Sequence, residues 1–279
     1  MNILRYCSDL HLEKMGNILN PKLIPFWDFK KGLNDKYYLA LTGDIGNPYY
    51  NGQNLVQFFK NVTPHYEKIF YVPGNHEYYN LDKKKWNKDD FDNKLAEICK
   101  GFNNVVLLNN KCDSIDGFKI IGSTLWSHVS PENEEEISRG INDYNLINKM
   151  DKPITIKDTN QWNEECVKYI DDEVKATATD EPCIVLTHHA PLFNNPETGA
   201  LLAHPRYTYS KYNEAFHNDL WRILKKPVVA WIYGHTHYVS NFKQDGIIVA
   251  TNQLGYSYEH TGFNPHAYIN LDKLMLDSL

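Results

Sequence analysis

The sequence predicts an α/β fold, and three observations carry that expectation. Short runs rich in β-branched and aromatic residues recur from the start of the chain, each closed by Gly, Pro, Asn or Asp. Between several of them lie stretches whose apolar residues recur at helical spacing. Five of the runs also end alike, on Asp, Asn or His, at the strand lip where open α/β sheets bind ligands.

Asn2 to Cys7 reads as the first strand and closes on Ser8-Asp9-Leu10-His11. Asp9 and His11 are two apart, so extended backbone would point both to one side. The next thirty residues, with Pro21, Pro25 and Gly32, read as loop or short helix. Tyr37 to Thr42 is a second buried strand, ending in Gly43-Asp44-Ile45-Gly46-Asn47-Pro48. Asn54 to Val62 is helical by its apolar positions 55, 56, 58, 59 and 62. The third strand, from Lys68, leads through Val72-Pro73 into Gly74-Asn75-His76-Glu77. Asn80 through Lys100 reads as an amphipathic helix on Leu81, Phe91, Leu95 and Ile98. Val105 to Leu108 and Phe118 to Ile121 are further strands, the second after a turn at Asp116-Gly117.

From Ser123 to about Glu181 the composition shifts toward Asn, Asp, Glu and Lys, with helical candidates at 132–148 and 157–178. This stretch lacks its own run of strands. We therefore read 1–279 as one domain carrying a lid-like insertion at about 123–181. Pro182 to Thr187 restores the strand pattern and ends in His188-His189-Ala190-Pro191. A long loop with His204-Pro205-Arg206-Tyr207 follows, then a helix from about Lys211 to Leu224. Val228 to Tyr233 is a strand ending in Gly234-His235-Thr236-His237. In the tail, Tyr238 to Phe242, Gly246 to Thr251 and His266 to Asn270 read as strands of a second, largely antiparallel sheet.

The bulk properties narrow the function. A chain of 279 residues, 42% hydrophobic, can bury a sizeable core. It has no apolar run of membrane-spanning length, and its first strand runs into Ser8 and Asp9 where a secretory signal would stay apolar. Five cysteines, at 7, 99, 112, 166 and 183, include no CxxC pair, which suits reduced thiols in a cytoplasmic protein. The net charge is −6, and the densest basic run, Lys83-Lys84-Lys85, is most simply a wet helix face. Extended nucleic acid is therefore disfavoured as a partner.

Each closing fragment taken alone also fits turn or capping chemistry. Together they supply three carboxylates, an amide and several imidazoles at strand exits, which is a metal-ligand set. With these blocks, Asp-x-His, Gly-Asp, Gly-Asn-His-Glu, a later His and Gly-His-x-His, the sequence resembles the calcineurin-like metallophosphoesterase superfamily over residues 1–240. Thr124-Leu125-Trp126 and Thr251 to Tyr256 look like its bacterial-type branch of uncharacterised phosphoesterases. The resemblance implies a four-layer αββα sandwich of two mixed β-sheets with the site at the C-terminal strand ends. It also implies two metal ions, one held by Asp9, His11, Asp44 and His237, the other by Asp44, Asn75, His188 and His235, so that Asp44 bridges. A metal-bridged hydroxide would then attack phosphorus in line.

The physics is consistent with that implication. Two ions about 3.5–4 Å apart clamp the attacking and leaving oxygens of an in-line displacement. Asp9 and Asp44 offset only part of the charge of two divalent ions, so the site attracts a phosphoryl group. Imidazoles mixed with oxygen ligands suit divalent Mn, Fe, Zn or Ni better than Mg or Ca.

Other residues take expected roles around that centre. Asn75 and His76 face the phosphate, and His76 orients it or protonates the leaving oxygen; support of Asp44 or Glu77 is its second reading. His188 and His189 compete for one ligand position, and the superfamily pattern favours His188, leaving His189 to line the pocket. Arg206 suits a bidentate grip on phosphate and equally an ion pair. Asn142-Asp143-Tyr144, with Trp126, either shapes a nucleotide pocket or packs into the core. The protein Ser/Thr phosphatases carry an arginine after Gly-Asp. Ile45-Gly46-Asn47 has none, which argues against that branch. The expected substrate is a small phosphodiester or nucleotide. The alternatives are a phosphomonoesterase, then a nuclease, and outside catalysis a metal-bound scaffold; the oligomeric state is left open.

Overall fold

The computed structural model describes residues 1–16, 18–82, 85–178 and 180–278. One sheet is built from β1 (Asn2–Cys7), β2 (Lys36–Thr42), β3 (Lys68–Val72) and β4 (Val105–Leu107), all parallel. On the outer edge of β1 it gains β13 (Tyr268–Asn270), which runs antiparallel. The second sheet has a parallel centre of β12 (Ile247–Thr251), β10 (Val228–Tyr233), β9 (Cys183–Thr187) and β6 (Phe118–Ser123), in that order. Antiparallel strands close its two edges, β11 (Phe242–Gln244) beside β12 and β5 (Lys111–Ile115) beside β6.

Side-chain alternation sorts the strands into layers. Leu39 and Leu41 of β2 face one way, into a cluster with Leu55, Phe58 and Phe59 of α1 (Gly52–Val62) and Leu95 of α2 (Lys88–Lys100). Tyr38 and Ala40 face the other way and meet Ile120, Ile184 and Ile232 of the second sheet. The far face of that sheet presents Ile121, Val185, Trp231 and Tyr233 to Cys166, Ile170 and Val174 of α5 (Ile156–Ala176). Helix, sheet, sheet and helix therefore stack as the expected αββα layers, and the two sheets are mixed. Capping boxes fix where the main helices start: Asn87 with Asp90 for α2, and Thr155 with Asp158 for α5.

Several elements differ from the sequence expectation. The helix expected from Asn80 begins only at Lys88; Lys83 and Lys84 of the basic run lie outside the described residues. The helix expected over 132–148 is broken into α3 (Glu134–Gly140) and α4 (Asp143–Leu146), with Ile141 extended between them. From Lys211 only a short 3-10 turn to Ala215 forms. Beyond it, Phe216 and Asn218 exchange backbone hydrogen bonds with Ala190, and those tertiary bonds replace helical ones. The tail strands do not form a sheet of their own. Tyr268–Asn270 joins the first sheet, while β12 lies parallel to β10 in the second. A small ladder of β7 (Asn148–Lys149) and β8 (Lys152–Pro153) and the C-terminal α6 (Leu271–Ser278) complete the elements. Among the described residues, no helix is long and apolar enough to cross a membrane.

Candidate metal centre

The exits of β1, β2 and β3 meet those of β9 and β10, and the chain turns sharply at each. Asp9, His11, Asp44, His235 and His237 all have positive φ, between 47° and 72°. Such left-handed backbone is uncommon for these residue types and persists only where the surroundings enforce it. Here the exits hold one another: Asp9 N donates to Gly43 O at 3.0 Å, His11 N to Asp44 O at 2.9 Å, and Gly234 N to His188 O at 2.9 Å. The expectation that Asp9 and His11 share one side of extended chain is thus replaced by two left-handed turns. Close approach explains the glycines. A Cβ on Gly74 would stand 2.2 Å from Asp44 Oδ1, and one on Gly43 2.2 Å from His188 Nδ1.

Four imidazoles are oriented from behind. His188 Nδ1 lies 2.9 Å from Thr42 O, His235 Nε2 3.2 Å from Ala215 O, His237 Nδ1 2.5 Å from Glu259 Oε2, and His11 Nδ1 3.3 Å from Glu13 Oε1. Each partner is an acceptor, so these partners assign the ring proton to the outer nitrogen and leave the inner one as a lone pair. The inner atoms then converge. His188 Nε2 is 3.0 Å from Asn75 Oδ1, 3.1 Å from His235 Nδ1 and 3.3 Å from Asp44 Oδ1. His237 Nε2 is 3.0 Å from His11 Nε2 and 3.3 Å from Asp9 Oδ1. Acceptors packed this closely repel unless a cation or proton sits among them. The donor set therefore fits metal ions.

The electrostatics agree with the geometry. Burial would lower His188, yet the Asp44 carboxylate raises it to about 9. His237, also buried, is lifted to about 10 by Asp9 and Glu259. Burial opposes ionisation of Asp44 too, but His188 and His76 hold it well below the usual carboxylate range. Asp44 stands between the two groups of nitrogens: its Oδ1 faces His188 and its Oδ2 lies 4.0 Å from His11 Nε2 and 4.0 Å from His76 Nε2. Three overlapping groupings result, Asp9-His11-His237, His11-Asp44-His76 and Asp44-His188-His235.

Glu77 locks this arrangement from beneath. Its carboxylate accepts from the backbone N–H of Asp44, Ile45, Gly46 and Gly74 and from the Tyr71 hydroxyl, at 2.6–3.1 Å. Burial and the nearby Asp44 push it up to about 7 against those donors. One carboxylate thereby fixes the turns after β2 and β3 relative to each other.

Over the centre opens a cavity of about 240 Å³, lined by Asp44, Asn75, His76, Asn142, Arg206, His235 and His237 with Tyr207, Phe216, Tyr256 and Tyr258. Arg206 is exposed, and its guanidinium rests on the Tyr207 ring at 4.6 Å. The structure does not bring every predicted residue to the cavity. Tyr144 packs inward and its hydroxyl meets Thr159 Oγ1 at 3.1 Å. His189 is buried behind His235, ring to ring at 4.1 Å, with Nδ1 on Thr124 O at 3.2 Å. Burial and its His188 neighbour lower it to about 3. A larger cleft, about 510 Å³ beside Trp162 and Lys149, contains none of the converging side chains.

Sequence reasoning misses two carboxylates, Glu13 and Glu259, and gives a third, Asp143, a place in a substrate pocket and not behind Asn75. Glu13 and Glu259 hold histidines, and Asp143 holds Asn75: the Asn75 Nδ2 donates to Asp143 Oδ1 at 2.8 Å. Asp143 is the middle residue of Asn142-Asp143-Tyr144, which the sequence singles out. Its one sequence signal is that position in the polar segment after α3.

A profile of the calcineurin-like phosphoesterases matches residues 5–239. The chain belongs to that family. It is a metal-dependent phosphoesterase. It is also 52% identical over 284 residues, spanning all of both chains, to the uncharacterized protein L509 of Acanthamoeba polyphaga mimivirus. Among solved structures it is similar to the phosphopantetheinyl hydrolase of Mycobacterium tuberculosis, with a TM-score of 0.66 at 18% identity, covering 93% of this chain and 94% of that one. A putative 5'-nucleotidase from Staphylococcus aureus matches with a TM-score of 0.51 at 15% identity, over 90% of this chain and 48% of that one. At these identities the structures speak for the fold.

Proposed function

We propose that this phosphoesterase hydrolyses a small phosphodiester or nucleotide with two divalent transition-metal ions. The observation that supports the reading is the overlap of three groupings of acceptor atoms, two of which contain Asp44 and two His11. Asp9, His11, Asp44 and His237 would hold one ion; Asp44, Asn75, His188 and His235 would hold the other. When bound, such a pair supplies Lewis acidity toward phosphoryl oxygens and an activated water at neutral pH.

The chain's own groups do the rest. Asn75 is turned oxygen-inward by its amide bonds to Asp143 and Tyr79. His76 borders the cavity, with Nε2 3.4 Å from the Tyr256 hydroxyl. Burial would lower it, yet Asp44 and Glu13 raise it above the ordinary imidazole range. It is suited to give a proton to the leaving oxygen. Arg206 supplies a cation at the cavity mouth for a phosphate oxygen. The small volume over the centre favours a compact substrate, and the five unpaired thiols support a reducing, cytoplasmic setting.

Purified protein supplied with Mn, Fe, Zn or Ni should cleave an aryl phosphodiester faster than the matching monoester. Faster monoester turnover overturns the diester preference, and two bound ions with no hydrolysis across a phosphoester panel would favour a scaffold. Asp44→Asn should lose bound metal and hydrolysis together. His76→Ala should keep the metal and slow the chemistry; loss of an ion from that variant would remove its assigned role.

A further inference from the structure

We propose that Glu13 is a positioning residue that sets the tautomers of His11 and His76 together, coupling a proposed metal ligand to the proposed proton donor. The inference rests on the functional reading above and adds a residue to it. Glu13 sits in a single 3-10 turn, Leu12–Lys14, directly after the first strand exit, and is 1% exposed. One oxygen, Oε1, lies 3.3 Å from His11 Nδ1 and 3.3 Å from His76 Nδ1, and the other has no hydrogen-bond partner. The two rings stand edge to face, 4.5 Å between centroids.

A carboxylate accepts and never donates when ionised, so both histidines must offer it Nδ1–H. That choice turns each Nε2 inward: a lone pair on neutral His11, and on protonated His76 the Nε2–H that can leave while Nδ1–H stays on Glu13. His11 Nε2 faces His237 and His76 Nε2 faces Tyr256, and both stand 4.0 Å from Asp44 Oδ2. A single side chain therefore decides which atom of two separate rings reaches the reaction centre.

The turn is itself held. Asn51 Nδ2 donates to Glu13 O at 2.7 Å and Asn54 Nδ2 to Leu12 O at 2.9 Å, so the start of α1 fixes the backbone that carries Glu13. Glu13 does not line the cavity, which separates it from groups that touch substrate. Its removal should act through the rings, leaving substrate binding largely intact.

The decisive measurement is the ring-nitrogen NMR spectrum of the metal-free protein, at a pH where both imidazoles are neutral. Wild type should show His11 and His76 as Nδ1–H tautomers. Glu13→Ala should shift both toward Nε2–H, and Glu13→Gln, whose amide oxygen still accepts, should restore them. Metal affinity and kcat of the alanine variant should each fall roughly 10- to 100-fold, with KM little changed. If the alanine variant does not fold, the glutamine variant and Glu13→Asp, which withdraws the acceptor by one methylene, make the same comparison. His76 as Nε2–H in wild type, or unshifted tautomers when the acceptor is removed or withdrawn, overturns the proposal. Absence of hydrolysis by the wild type would instead remove the functional reading, and the tautomer result would stand apart from it.

Discussion

Asp143 reaches out of the segment between β6 and β9 to lie 2.8 Å from the Asn75 amide nitrogen and 2.5 Å from the Tyr79 hydroxyl. Both Asn75 donor hydrogens are thereby used, on Asp143 and on Tyr79 Oη at 3.1 Å, so its oxygen points toward His188. An amide without those acceptors is free to flip and present its NH2 group to the centre. We expect Asp143→Ala to weaken metal affinity by roughly 10- to 100-fold, as loss of an outer partner of a ligand typically does. Calorimetric titration of Mn or Zn into the two proteins checks this. Equal affinities would show that Asn75 is oriented by something else.

Glu259 does for His237 what Asp143 does for Asn75. It lies 2.5 Å from His237 Nδ1 and also accepts from Tyr256 N at 2.9 Å. Glu259→Ala should lower metal affinity by roughly 10- to 100-fold, and Glu259→Gln, which keeps an acceptor oxygen, by less. Metal content per chain after dialysis against a weak chelator orders the three proteins. If the glutamine variant loses as much metal as the alanine one, charge and not ring orientation is the contribution.

The parts of this centre that are legible in the sequence are those that interrupt an apolar run. Gly43-Asp44 or Gly234-His235-Thr236-His237 stands out because metal-capable residues recur at one strand end after another, where any single end would fit turn chemistry. The groups that orient those side chains carry no such contrast. Glu13 stands between Leu12 and Lys14, and Asp143 and Glu259 among polar and aromatic residues, where a lone acid looks like solvated surface; only the folded chain buries Glu13 and Asp143. Strand partners are hidden for another reason. Tyr268–Asn270 has a strand's composition, but its pairing with Ile3 to Arg5 spans most of the chain. In the stretch after Ala215, helical spacing loses to hydrogen bonds with Ala190, a competition that local pattern does not contain.

The thiols offer a test of burial that is independent of catalysis. Cys7, Cys99, Cys166 and Cys183 are buried and Cys112 is exposed on edge strand β5. Burial pushes Cys99 and Cys183 up to about 12 and raises Cys7 as well, so few of these reach the reactive thiolate form near neutrality. An aromatic disulfide reagent should label one thiol rapidly in the native protein and all five after denaturation. Cys112→Ser should abolish the rapid phase. A second fast thiol in the native chain would contradict this packing.

Asp116 ties the turn before β6 to β2: its carboxylate accepts from the Tyr38 hydroxyl at 2.6 Å and from Lys36 Nζ at 2.9 Å. Partial burial alone would raise this carboxyl, but the bonds from Tyr38 and Lys36 lower it below its ordinary value. The unfolded chain therefore binds the proton first as the pH falls. The stabilisation is complete above the ordinary carboxylate range, about pH 4, and is lost as pH drops through the folded value. Asp116→Asn should keep the left-handed turn, since Asn tolerates the φ of 42° found there. Its melting temperature should lie a few degrees below wild type at neutral pH. That gap should close as the pH falls from about 4 through the depressed folded value, below which the native carboxylate is itself protonated. Thermal denaturation across a pH series measures both, and a gap that persists in acid would assign the loss to packing of the turn.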